Sequence, residues 1–298
     1  MNETVWRFGY GSNLGRDTLE KKKNLTLYDY RPGHILGYRL AFEQPGPPFV
    51  DPSFASCREA PEQALYGVAF RITKEQAAEL DQQEAGYDVK SCTFVDTRGE
   101  EILNVGLYVP QRSVDRALPQ PSLRYLRLMR SGARQAGLSA DYIKVLDDTP
   151  HYQTPPEIRA VTLRAIDDFL KDPQRASKRM TSAELAEHNG HDSHKPSHTS
   201  LLGFVVRVDA MFKSWRGHSV TRRNLLHFRG QSVDVLDIPV TDPAFRPLPR
   251  IADGSAEERE FWLQNFDHLI HTGGVIVARL QEFVEEQPED LRKLLDFS

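Results

Sequence analysis

The chain has 298 residues, a formal net charge of −4 and a pI near 6.2. That length predicts one large or two ordinary domains, and a hydrophobic share of 39% is ample for a core. The mild acidity argues against bulk nucleic-acid binding, and no apolar run reaches the roughly 20 residues needed to span a bilayer. The opening Met-Asn-Glu-Thr-Val-Trp-Arg-Phe lacks the basic start and long apolar stretch of a signal peptide. Cys57 and Cys92 make neither a disulfide framework nor a zinc knuckle. The expectation is a soluble, cytoplasmic protein.

In chain order, Val5 to Phe8 reads as a strand running into a Gly-rich turn. Ile35 to Phe42 and Ala64 to Ile72 are apolar, β-branched and aromatic, which predicts strands. Between them lies a Pro/Ser loop around Gly46-Pro47-Pro48 and Asp51-Pro52-Ser53. Thr73-Lys74-Glu75-Gln76 is a capping box that opens a short helix ending near Gly86. Val89 to Thr97 and Glu101 to Val109 form a hairpin pattern with Arg98-Gly99 in the turn. Pro121 to about Leu146 is helical, with a second helical turn starting at Ser139, and Ile158 to Leu170 is amphipathic. The polar, basic stretch Lys171 to Arg179 reads as a linker. Thr181-Ser182-Ala183-Glu184 caps another helix, Asn189 to Ser200 reads as loop, and Leu201 to Val208 as one buried strand. Ser255-Ala256-Glu257-Glu258 caps a helix, and Gly274 to Leu280 is a closing strand.

Two features of the first half carry chemistry. Tyr10-Gly11-Ser12-Asn13-Leu14 leaves a strand, and its successive N–H groups can converge on an oxygen as an anion-binding nest, with Ser12 and Asn13 adding side-chain donors. The plain alternative is a tight turn. The spacing is neither a Rossmann fingerprint nor a Walker loop, so nucleotide binding is not implied. Glu84, in Leu80-Asp81-Gln82-Gln83-Glu84-Ala85-Gly86-Tyr87, stands at a helix C-terminus, where the helix dipole disfavours an acid. It is either a solvated surface acid or a partly desolvated general base beside the small, apolar Ala85-Gly86-Tyr87.

Taken together, these segments resemble the γ-glutamylcyclotransferase family, over about Val5 to Leu170. The resemblance rests on the strand-borne Tyr10-Gly11-Ser12-Asn13-Leu14, on Leu80-Asp81-Gln82-Gln83-Glu84-Ala85-Gly86, and on Tyr125, Ser131-Gly132-Ala133 and Tyr142 in that order. One departure is Ala85 where a Gly is common. The Tyr-Gly-Ser-Asn form is similar to the branch acting on γ-glutamyl amino acids or amines.

The resemblance implies an α+β fold: a small mixed β-barrel with flanking helices around one pocket. It implies cyclisation of a γ-glutamyl group to 5-oxoproline with release of the attached amine, a lyase or acyltransferase type of reaction on a small-molecule γ-glutamyl substrate, without a cofactor. Glu84 is implied as general acid and base. Tyr10, Gly11, Ser12, Asn13 and Leu14 are implied in substrate binding. Tyr125 either bounds the pocket or packs in the core, and Tyr87 and Tyr142 pack.

In the second half, Met180 to Gly190, Lys195-Pro196 and Leu202 to Val208 are similar to cytochrome b5-like domains, and Ser255 to Glu258 with Val275 to Leu280 to the membrane-associated progesterone-receptor branch. That branch binds haem through tyrosine. Phe212-Lys213-Ser214-Trp215-Arg216-Gly217-His218 holds none, which leaves His218 or His227 as axial ligands or as ordinary surface or core histidines. His188, His191, His194 and His198 lack the partner pattern of a structural zinc site and read as a polar loop. Arg222, Arg223 and Arg229 read as solvated surface, and Trp215 and Trp262 as core or interface.

The expected organisation is a catalytic domain over 1–172, a linker over 173–180 and a small α+β domain over 181–298. The leading function is a γ-glutamyl cyclotransferase. The rivals are a non-catalytic ligand-binding or scaffold protein, and haem or small-ligand binding by the second domain.

Overall fold

The computed structural model describes residues 3–46, 51–84, 86–111, 118–189, 194–209 and 255–281. Ala85, His191 and the segment holding Phe212, Trp215, His218, Arg222, Arg223, His227 and Arg229 lie outside the described residues. Two compact units divide the chain: residues 1–47 with 51–153, and residues 48–50 with 154–298.

The first unit is a closed barrel of strand order β1-β3-β2-β4-β5. β1 is Thr4–Gly9, β2 Asp29–Pro45, β3 Ser53–Thr73, β4 Tyr87–Asp96 and β5 Glu101–Pro110. β1 runs antiparallel to β3 and parallel to β5, and that second pairing closes the cylinder. Phe8, Leu65, Phe70, Phe94 and Leu107 are fully buried inside. Each such side chain contributes about 1.5–3 kcal/mol by leaving water.

β2 and β3 are far longer than the apolar runs predict. They extend as a ribbon with register shifts at Leu36/Tyr38 and Ala41/Gln44. The polar ends of this ribbon are held by backbone pairing, which composition does not report. Helix α1 (Lys74–Gln83) starts at the predicted capping box: the Thr73 side chain accepts from Gln76 N–H, and the Gln76 side chain accepts from Thr73 N–H. Helices α2 (Leu123–Ala136) and α3 (Ala140–Asp148) follow, capped by Ser122 and Ser139.

The second unit is a four-stranded sheet of order β6-β9-β8-β7: β6 Arg179–Met180, β7 His198–Leu201, β8 Phe204–Arg207 and β9 Val275–Leu280. Its helices are α4 (Pro156–Lys171), α5 (Pro173–Ala176), α6 (Ser182–Glu187) and α7 (Ala256–His271). Phe169, Leu185, Phe204, Leu263 and Phe266 form its core. Arg159 of α4 bridges Glu260 at 3.0 Å and Asp267 at 3.1 Å on α7.

Three features differ from the sequence expectation. The stretch Leu201 to Val208 is not one strand but half of a hairpin, because Leu202 and Gly203 take φ of 52° and 71° and turn the chain. His198 sits in β7, buried and stacked on His188 with ring centroids 4.1 Å apart, rather than in a loop. The division falls between Gln153 and Thr154 rather than at 172, since Ile166 and Phe169 of α4 bury in the second core. The expected linker contributes α5 and β6 to that unit. No helix among the described residues is long and apolar enough to cross a membrane.

Candidate active site

At the end of β1 the chain makes a single 3₁₀ turn, Ser12–Leu14, closed by Leu14 N–H donating to Gly11 O at 3.1 Å. Gly11 is required here by close approach. A Cβ on it would lie 2.7 Å from the Tyr125 hydroxyl and 3.1 Å from Ala55 Cβ. Helix α2 presses on the far side of the turn. A Cβ on Gly132 would meet Gly15 N at 2.7 Å and Leu14 Cβ at 2.9 Å. The turn is therefore gripped between β3 and α2, with Leu14 fully buried.

Glu84 follows α1 directly as its C-cap residue, and its N–H donates to Leu80 O at 3.0 Å. The last turn of α1 is fixed by Asp81. Arg7 of β1 donates to both its carboxylate oxygens, at 3.0 and 2.7 Å, and Tyr108 of β5 donates to Oδ1 at 2.7 Å. A forked guanidinium on a carboxylate sets direction as well as distance. The carboxylate of Glu84 is thereby brought to the turn: Asn13 Nδ2 donates to Glu84 Oε1 at 3.0 Å. Lys23 Nζ donates to the same oxygen at 3.1 Å. The side chains of Lys23 and Glu84 are 21% and 19% exposed, so the pair meets solvent while most of it is covered.

Tyrosines wall this region. Tyr125 Oη accepts from Ala55 N–H at 3.2 Å, and Tyr87 Oη donates to Ala55 O at 2.7 Å. Tyr10 Oη donates to Tyr108 O at 2.7 Å. Burial pushes the phenols of Tyr10, Tyr87, Tyr108 and Tyr125 well above their ordinary value, so all four stay protonated and neutral near pH 7. They act as fixed hydrogen-bonding groups, not as bases, and Glu84 is the carboxylate among them at the turn.

The structure thus brings Asn13, Glu84, Gly11 and Tyr125 into one neighbourhood. Ser12 belongs to the same turn. Tyr10 and Leu14 are different: their side chains are buried in the barrel core, and the Leu14 N–H is already engaged by Gly11 O. Tyr142 packs, with its ring 5.1 Å from that of Tyr66. Sequence reasoning missed Lys23, which stands in the run Lys21-Lys22-Lys23 and reads as solvated charge. It also missed Arg7 and Tyr108. Asp81, only three positions before Glu84, was visible as part of the motif without any sign of its partners.

The chain is similar to several known proteins. The family model described as the AIG2-like family matches residues 64–146, a stretch that includes Glu84 and Tyr125. The γ-glutamyl cyclotransferase aclK of Aspergillus oryzae is 27% identical over 241 residues, covering 72% of this chain and 86% of the relative. The γ-glutamylcyclotransferase of Bos taurus is 24% identical over 176 residues, covering 57% of this chain and 89% of the relative. A solved γ-glutamyl cyclotransferase structure has a TM-score of 0.45 at 22% identity and covers 53% of this chain and 98% of its own. Residues 64–146 of this chain thus match the AIG2-like family model, and the chain is similar in sequence to γ-glutamyl cyclotransferases.

Proposed function

We propose that the N-terminal unit cyclises a γ-glutamyl group to 5-oxoproline and releases the attached amine. Glu84 takes a proton from the substrate's α-ammonium group. The freed amine attacks the side-chain carbonyl carbon of the same molecule, and a tetrahedral intermediate forms. Glu84 then passes its proton to the departing nitrogen as the carbon–nitrogen bond breaks, takes up the extra proton left on the ring nitrogen, and gives it to the released amine, which leaves as an ammonium. Atoms and protons balance without water, metal or cofactor. Because nucleophile and electrophile share one molecule, the protein has only to hold a folded substrate. Well-oriented intramolecular attack supplies about 7–11 kcal/mol of barrier reduction. N–H groups of the Gly11–Asn13 turn would serve the substrate carboxylate and the developing oxyanion.

The observation that carries this reading is the 3.0 Å contact between Asn13 and Glu84, which joins two distant motifs into one site. The test is a panel of γ-glutamyl amino acids, peptides and amines, with glutathione included, incubated with the purified full chain and read out as 5-oxoproline. At least one member is expected to yield it. A panel with no product favours a protein that keeps the fold only to bind.

A further inference from the structure

We propose that Lys23 is this chain's specificity-determining residue for the α-carboxylate of the γ-glutamyl head group. It forms the positive half of a paired site whose negative half is Glu84. The inference rests on the cyclotransferase reading of the site and deepens it.

The argument begins with charge. An amino-acid head group carries an ammonium and a carboxylate side by side. Glu84 Oε1 and Lys23 Nζ, 3.1 Å apart, present the opposite pattern: a carboxylate and an ammonium side by side. The N–H groups of the turn can donate hydrogen bonds, but they carry no net charge. Arg7 is committed elsewhere: Nε and Nη2 donate to Asp81, and Nη1 donates to Trp6 O. Lys23 is the cation recorded at ion-pair distance from Glu84 among the described residues. Both donors to Glu84, Asn13 and Lys23, meet Oε1. Among the described residues no donor to Oε2 is recorded, so that oxygen is left for an incoming ammonium.

The backbone supports a purpose for this lysine. Residues Thr18–Lys22 form a π-helical turn, a form that recurs at functional sites. The Lys23 N–H donates to Thr18 O at 3.0 Å, and Asn24 takes the left-handed φ of 53°. Leu19 and Leu25, both buried, tie the two ends of this irregular segment into the barrel core. The irregular turn is held by apolar anchors and delivers one ammonium to the carboxylate. On binding, the lysine would turn from Glu84 to the substrate carboxylate while the substrate ammonium meets Glu84.

The experiment compares the best-cleaved γ-glutamyl amide of the panel with its 4-aminobutanoyl counterpart. The counterpart keeps the amine, carbonyl and leaving group and lacks only the α-carboxylate. KM is measured for the first, and the inhibition constant of the second against that turnover. In Lys23→Met the ratio of inhibition constant to KM is expected to fall roughly 10- to 100-fold, the usual worth of a hydrogen bond to a charged group. Lys23→Gln should show the same collapse, and Lys23→Arg should keep most of the selectivity. A structural role would move both constants by the same factor. Equal shifts, or an unchanged ratio in both neutral variants, overturn the assignment of Lys23 alone. A wild-type chain that releases 5-oxoproline from no γ-glutamyl amide overturns the cyclotransferase reading, and this inference with it.

Discussion

At the scale of single residues, the site is a matter of clearances. Gly11 lies where a Cβ would press on the Tyr125 hydroxyl, and that hydroxyl accepts the Ala55 N–H. Gly11→Ala is expected to destabilise the fold by about 1–3 kcal/mol through overpacking. Tyr125→Phe is expected to cost about 1–3 kcal/mol by leaving the Ala55 N–H without its acceptor. Because the same oxygen causes both effects, the double variant should fall short of the sum by about 0.5 kcal/mol or more in denaturant unfolding. Strict additivity would show that the two residues do not share that contact. Much of this was legible in the sequence: a glycine leaving a strand, Asn13 beside it and an acid after a capped helix already suggested donors and a base. Lys23 was not legible, because a lysine in a run of three looks solvated until the π-turn aims it. Nor was the burial of Tyr10 and Leu14, whose direction depends on how β1 meets β3 and β5.

At the scale of elements, the placement of Glu84 depends on how α1 ends. Burial alone would raise the carboxyl of Asp81, but the hydrogen bonds from Arg7 and Tyr108 and the charge of Arg7 outweigh it and hold it below the ordinary carboxylate value. A carboxylate depressed in the folded state contributes stability that is present above its unfolded value. That contribution is lost as pH falls through the folded one. Wild-type stability should therefore decline as pH drops below about 4. Asp81→Asn should be less stable at neutral pH and show a flatter dependence in that acid range. Parallel curves for the two proteins would mean that the Arg7–Asp81–Tyr108 cluster does not anchor the helix. The element-scale reading of the sequence was accurate where local signals act, as at the Thr73 capping box and the Arg98-Gly99 turn. It missed the hairpin at Leu202-Gly203, because the apolar run on both sides hides the turn. It also shortened β2 and β3, whose polar residues are strand only by virtue of their partners.

At the scale of the whole molecule, the two cores are made of different stretches of chain. The first draws on residues from Val5 to Leu146 and the second on residues from Leu163 to Leu280. A chain ending at Gln153 is expected to fold cooperatively. One ending at Lys171 carries the apolar face of α4, with Ile166 and Phe169, away from its core and should self-associate. Sedimentation of the two truncated proteins decides this, and equal behaviour would contradict the division at 153. The sequence placed the boundary later because an amphipathic helix does not say which core its apolar face joins. The account's central claim, though, concerns one carboxylate. Its most direct test is 5-oxoproline release by wild type and Glu84→Gln on the same γ-glutamyl substrate, with folding verified by circular dichroism. Turnover in the wild type and its loss in a folded Glu84→Gln protein is the predicted result. A Glu84→Gln protein that releases 5-oxoproline at the wild-type rate contradicts it.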